Sequence, residues 1–268
     1  MKHKLIIGAL ALLLVGCEDF HQNSTNYTVR EIDDVNGVST WAMIPAAYQP
    51  GRQWPWVIYN HGYGQSGNTI YTSANETPEL FEPLVFAGYI VVASNYRNTN
   101  CWGNADCGVD IANLQNVWRA NLNLAPKPYV IGESMGGIVT WNAISHGDLH
   151  PRAVVAIFPA CSLAAMLPII GLGSSIEAAY NFSSPNQLAT AAAGFDPLLE
   201  PASDFTSFPI VMWASYSDTV VIRSQNEDPF ATAIKAAGGN IVIHTSSGDH
   251  GDNSNYDSSA VIAFFSQN

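Results

Sequence analysis

Gly132-Glu133-Ser134-Met135-Gly136-Gly137 is the stretch on which the reading of this chain turns. Pro128-Tyr129-Val130-Ile131 before it is a short apolar run and reads as a buried strand. Ile138, Val139, Trp141, Asn142, Ala143 and Ile144 after it fit a helix. A strand that turns sharply into a helix with Gly-x-Ser-x-Gly at the corner is a nucleophile elbow. Gly132 and Gly136 suit a corner where two backbones approach too closely for side chains, and Ser134 is expected to present its hydroxyl at the helix N-terminus.

The pattern on either side alternates. Tyr27–Asp33 and Val38–Ile44 flank Asn36-Gly37, a strong hairpin signal. Strands are then expected at Trp56–Tyr59, Tyr89–Ala93, Tyr129–Ile131, Ala153–Phe158, Ile210–Trp213 and Ile241–His244. Helical spacing fills Glu76–Phe86, Val109–Leu122, the stretch after Pro229, and Ser258–Phe265. Strands alternating with helices predict an α/β fold: an eight-stranded, mostly parallel, doubly wound sheet covered on both faces. Ala160–Ser207 is too long for an ordinary connection and reads as a small cap insertion, either a lid over a site or a decoration with its own core.

Met1-Lys2-His3-Lys4 is basic, and Leu5–Val15 is an unbroken apolar run too short to span a bilayer. Leu14-Val15-Gly16-Cys17 resembles a bacterial lipobox, so residues 1–16 are expected to be a lipoprotein signal peptide and Cys17 the lipidated anchor. Residues 17–26 read as a tether and 27–268 as one domain. The expected location is the cell envelope or surface, with membrane contact through Cys17 only. The formal charge of −12 becomes −14 once Lys2 and Lys4 leave with the leader. So acidic a chain argues against nucleic acid and against an electrostatic hold on anionic lipid. Cys101 and Cys107 flank a short polar segment and, in an exported chain, are expected to form a disulfide; a zinc site would need more ligands at closer spacing. Cys161 has apolar neighbours and reads as a buried thiol, and Trp54, Trp56, Trp102 and Trp141 read mainly as core.

A serine hydroxyl needs a base, an acid behind the base, and donors for the oxyanion. After an elbow the expected chain order is Ser, Asp or Glu, then His. His150 precedes Pro151 at the wrong end of a parallel strand, and His244 ends the last strand, where alternation can bury it. His250 lies in a loop beyond the carboxyl end of that strand, where sites in parallel sheets gather, and is the expected base. Asp218 lies in the loop after Ile210–Trp213 and is the expected acid, ahead of Asp196, Asp204, Asp228, Asp249 and Asp252. The oxyanion donors are expected to be the Met135 N–H and, from His61-Gly62-Tyr63-Gly64, the Tyr63 N–H, with His61 bracing its own loop.

These motifs, in this order, resemble the α/β-hydrolase superfamily over nearly the whole chain from about Tyr27. Trp41–Pro45 and Pro55–Gly62 are also similar to secreted esterases and to the catalytic domains of prolyl-oligopeptidase-type peptidases. Glu133 replaces the histidine common at that elbow position. The resemblance implies a triad of Ser134, Asp218 and His250 and acyl transfer to water without metal or organic cofactor. The first expectation is hydrolysis of a small-molecule or polymeric carboxylic ester in the manner of an esterase or lipase. A serine peptidase of prolyl-oligopeptidase-like type and a non-catalytic binding protein are the alternatives.

Overall fold

A computed structural model describes residues 19–23 and 26–268. Residues 1–16, expected to be a signal peptide, and Cys17 lie outside the described residues. The strands are β1 (Asp19–Asn23), β2 (Tyr27–Asp33), β3 (Ser39–Pro45), β4 (Trp56–Asn60), β5 (Ile90–Ser94), β6 (Tyr129–Glu133), β7 (Ala153–Ile157), β8 (Ile210–Ser215) and β9 (Ile241–Ser246). They form one sheet in the order β1-β2-β3-β5-β4-β6-β7-β8-β9. Pairing is antiparallel from β1 through the β3–β5 contact and parallel beyond it.

All eight expected strands are present. The ninth, β1, comes from the segment read as a tether. A strand is made by main-chain pairing along an open edge and needs no side-chain periodicity. The outer edge of β2 offers such a row, and Asp19 pairs opposite Glu31 there. The β2–β3 hairpin closes as its residues dictate: Asp34 Oδ1 accepts the N–H of Asn36 at 2.7 Å and of Val38 at 2.9 Å, and Gly37 takes φ +73°.

Alternation along the central strands sends side chains to two cores. Trp56, Ile58, Val130, Val154, Ala156, Ile210 and Met212 face one, and Val57, Tyr59, Ile131, Val155, Val211 and Trp213 face the other. The first core is covered by the helices Ala105–Asn121, Met135–Ser145 and Glu227–Ala236 through Ile111, Leu114, Trp118, Trp141 and Ile234. The second is covered by Leu80, Phe81 and Leu84 and by Val261 and Phe265 of the helix Ser258–Gln267. Each such side chain, fully buried, contributes roughly 1.5–3 kcal/mol relative to exposure. The Ala105–Asn121 helix starts at Asn104, whose side chain accepts the Cys107 N–H, and the Cys101–Cys107 disulfide ties that first turn to the loop before it. Cys161 is free and buried, and the four tryptophans named above are buried.

The sheet reverses its winding at β4, which lies between β5 and β6. Asn60 at the end of β4 therefore pairs with Gly132 at the end of β6, and the loops that follow the two strands leave side by side. Such a switch point at the carboxyl edge is where open α/β sheets hold their sites. Closeness here demands glycine. A Cβ on Gly136 would stand 1.9 Å from the Asn60 carbonyl oxygen, and one on Gly132 2.7 Å from the Gly136 oxygen. Backbone cannot yield that distance, so Gly136→Ala is expected to destabilise the protein by about 3 kcal/mol. The urea midpoint measures it; an unshifted midpoint would show that the elbow helix can move off β4.

The segment 160–207 is built of short helical pieces, among them Leu163–Met166, Gly173–Ala179 and Leu188–Ala191. Its Leu163, Met166, Ile176 and Leu188 cluster with Met135 and Ile138 of the elbow helix, so its small core continues into the elbow. Polar contacts fasten it to the disulfide loop: Trp102 Nε1 donates to Ser175 Oγ at 2.9 Å, and the Tyr180 hydroxyl to the Trp102 carbonyl at 2.8 Å.

Candidate active site

Ser134 occupies the corner between β6 and the helix Met135–Ser145, at φ +52° and ψ −118°. A side chain at that positive φ is strained, and the strain persists because the surrounding backbone fixes it. The Ser134 N–H donates to Ile157 O at 3.0 Å, and its carbonyl accepts the N–H groups of Gly137 and Ala160, each at 2.9 Å. The turn is thus fastened to β7 and the start of the cap, and only the hydroxyl remains for other partners.

That hydroxyl lies 2.9 Å from His250 Nε2. On the other side of the ring, Nδ1 lies 2.8 Å from Asp218 Oδ2. The second carboxylate oxygen of Asp218 accepts the N–H groups of Val220 and Val221, both at 2.8 Å, so the acid is held rigidly by its own loop. A carboxylate accepting at Nδ1 leaves the lone pair of Nε2 facing the serine, the tautomer a general base needs. Ser134, Asp218 and His250, separated by up to 116 residues, are brought together in one hydrogen-bonded series.

Two supports of the histidine carry no sequence signature of their own. Phe158, at φ +35°, sets its ring edge to face against His250 with centroids 4.5 Å apart. Asp249 ties the histidine loop to the acid loop, accepting the Thr219 N–H at 2.9 Å and hydroxyl at 3.0 Å and the His250 N–H at 2.8 Å. These donors hold its carboxyl below the usual range. The histidines set aside stay aside. His150 is exposed at the start of β7. His244 differs from expectation: β9 is an edge strand with one face in water, and His244 stands exposed there, stacked on Trp213 at 5.1 Å.

The loop after β4 forms the other wall. Gly62–Gln65 is a tight turn closed by Gln65 N–H to Gly62 O at 3.2 Å, with Gly64 at φ +75°. It packs directly on Ser134: a Cβ on Gly62 would lie 3.5 Å from Ser134 Cβ. Three side chains brace it. His61 Nδ1 lies 2.9 Å from Gly62 O, Asn100 Oδ1 accepts the Gly64 N–H at 2.9 Å, and Gln65 Oε1 accepts the Gly62 N–H at 2.8 Å. Burial pushes His61 down to about 4, so it is neutral at physiological pH and braces its loop uncharged. Tyr63, at the turn's crown, rests on Trp102 with ring centroids 5.9 Å apart. Met135 is the first residue of its helix, so its N–H has no partner one turn back. Among the described residues, no group of three or more His, Cys, Asp or Glu side chains is placed to hold a metal ion.

No protein-family model matches the sequence, and no curated protein sequence does. Solved structures do match in shape. The acylaminoacyl peptidase of Pyrococcus horikoshii superposes with a TM-score of 0.67 at 15% identity, over 91% of this chain and 41% of that one. Dipeptidyl peptidase 4 of Porphyromonas gingivalis gives 0.67 at 15% identity, over 94% and 36%. Carboxyl esterase 2 of the mycorrhizal fungus Tuber melanosporum gives 0.65 at 19% identity, over 90% and 86%. The chain thus spans about two fifths of the length of the peptidases and most of the esterase. It has the α/β-hydrolase fold.

Proposed function

We propose that the protein is a serine hydrolase that cleaves carboxylic esters through an acyl-Ser134 intermediate. The observation that carries the reading is the unbroken chain of hydrogen bonds from the strained Ser134 to His250 to Asp218. His250 Nε2 takes the hydroxyl proton as Ser134 Oγ attacks the ester carbonyl. The tetrahedral oxyanion is held by the N–H groups of Met135 and Tyr63. Collapse expels the alcohol, which receives the proton from His250, and a water activated by the same nitrogen releases the acid.

The likeness to an esterase over most of both chains supports ester rather than amide hydrolysis. A peptidase is the second reading, favoured by the equally good superposition on the peptidase catalytic portions. The placed base and acid weigh against a binding protein that has lost catalysis. Export and a lipid anchor at Cys17 belong to the same proposal, supported by the leader-like residues 1–16 and by the Cys101–Cys107 disulfide, which suits an oxidising compartment.

Turnover of p-nitrophenyl acetate and butyrate beside a panel of peptide p-nitroanilides tests the substrate class. Ester turnover with kcat/KM at least about a hundredfold above any peptide substrate is expected, a gap of about 2.7 kcal/mol in transition-state binding. Faster cleavage of a nitroanilide would replace the ester reading by the peptidase one.

A further inference from the structure

Glu133 directly precedes Ser134, yet the chemistry above makes no use of it. Its side chain is buried beneath the Gly62–Gln65 turn. The groups that face it come from four parts of the chain: Tyr59 from β4, Gln65 from the turn, Glu76 from the start of the Thr77–Phe81 helical turn, and Tyr256 from the segment before the last helix. No lysine, arginine or histidine is among these neighbours.

Gln65 joins the acids to the turn and uses every hydrogen-bonding position it has. Its Oε1 accepts the Gly62 N–H at 2.8 Å and the Tyr59 hydroxyl at 2.9 Å. Its Nε2 donates to Glu76 Oε1 at 2.9 Å and to Glu133 Oε1 at 3.1 Å. Reversing the amide would set N–H against the Gly62 N–H, so the two carboxyl groups fix which way Gln65 points.

Counting hydrogens then locates a proton. Tyr59 has one O–H but two oxygen neighbours at 2.9 Å, Gln65 Oε1 and Glu133 Oε2. With Glu133 ionised, one of those short contacts would hold no hydrogen, and two carboxylates would face the same half-buried amide, with no cation among the groups around Glu133. A proton on Glu133 Oε2 removes both conflicts: it donates to the Tyr59 oxygen, and Tyr59 donates to Gln65 Oε1.

We infer that Glu133 is a protonated positioning residue, which through Tyr59 and Gln65 holds the Gly62–Gln65 turn where the Tyr63 N–H meets the oxyanion. The inference rests on the ester-hydrolase reading for its catalytic consequence, but not for the proton itself. Burial, followed by the charge of Glu76, pushes Glu133 up to about 8. Burial raises Tyr59 well above its ordinary value and raises Tyr256 as well, so both phenols stay neutral while Glu133 titrates. Below about 8 the proton is in place. Above it, Tyr59 turns its hydrogen to the new carboxylate, Gln65 Oε1 loses a donor, and Glu133 and Glu76 repel across the amide that steadies the turn.

The test combines kinetics with infrared pH-difference spectroscopy on the intact protein. For p-nitrophenyl butyrate, wild-type kcat is expected to fall on the alkaline side with a midpoint near 8, with KM much less affected. Glu133→Gln, whose amide can give Tyr59 the same hydrogen bond without titrating, should keep kcat within about threefold at neutral pH and lack that limb. Gln65→Ala should lose about a hundredfold in kcat at every pH, the scale of a displaced oxyanion donor. In the infrared, the wild type should show a protonated-carboxyl band that disappears near pH 8 and is missing from Glu133→Gln. Glu227, the other buried acid pushed up to about 8, supplies the control: Glu227→Gln should leave the Glu133 band in place. An alkaline limb unchanged in Glu133→Gln, or a wild-type infrared spectrum from which that substitution removes no protonated-carboxyl band, would overturn the inference. If the wild type turned over no ester, the hydrolase reading would fall and the positioning role with it, whereas the infrared band would still decide whether Glu133 holds the proton.

Discussion

Replacing Ser134 by alanine is expected to lower kcat for p-nitrophenyl butyrate by about 10⁵-fold or more, while leaving the urea midpoint nearly where it was. Both halves follow from the geometry. The Ser134 hydroxyl has its hydrogen bond to His250 alone, and the turn is fastened by main-chain contacts to Ile157, Gly137 and Ala160 that alanine keeps. The strain at φ +52° is the same for either side chain. What disappears is the atom that would form the acyl bond. Residual hydrolysis would come from the oxyanion donors and bound water. Labelling by a fluorophosphonate should vanish in parallel, and a variant that retained wild-type turnover would remove Ser134 from the chemistry.

Asp218→Asn is expected to cost about 10³- to 10⁴-fold in kcat, with little change in KM. Its cause is a tautomer. Asparagine can still accept the Val220 and Val221 N–H groups through its oxygen, which directs its NH₂ at His250 Nδ1. Nδ1 must then accept, so Nε2 carries the hydrogen and points it at Ser134 Oγ. A base already protonated on the serine side cannot take the serine's proton. Activity should recover partly toward alkaline pH, where hydroxide can do the histidine's work. A loss below about tenfold would show that Asp218 does not set the tautomer.

The parts of the site that were legible in the sequence are those that leave a local mark. A tight corner needs glycine, and Gly132 and Gly136 are there because Thr140, Asn60 and the helix backbone leave no room for a Cβ. Asp218 and His250 follow from chain order, since each occupies the loop after one of the last two parallel strands. The Gly62–Gly64 loop shows itself by its glycines, and it lies beside the elbow because β4 pairs with β6.

The groups that steady those parts were not legible. Gln65 and Glu133 are 68 residues apart, and Asp249 meets Thr219 across 30. Neither contact produces a periodicity or a motif, and Glu133 as a residue in the elbow carries no sign of the Tyr59 and Gln65 side chains packed against it. The β1 strand escaped for a different reason: pairing to an open edge is a property of β2's backbone, not of the added residues. His244 follows from edge position, because only one face of β9 meets the core.

The central claim, acyl transfer through Ser134, is tested most directly by trapping the covalent species. Intact-mass and peptide mass spectrometry after brief acid quench with p-nitrophenyl butyrate, or after fluorophosphonate treatment, locate any adduct. One acyl or phosphonyl group on the peptide carrying Ser134 is expected, absent from Ser134→Ala and slowed in Asp218→Asn. Ester turnover without any adduct at Ser134, or an adduct on a different residue, would contradict it.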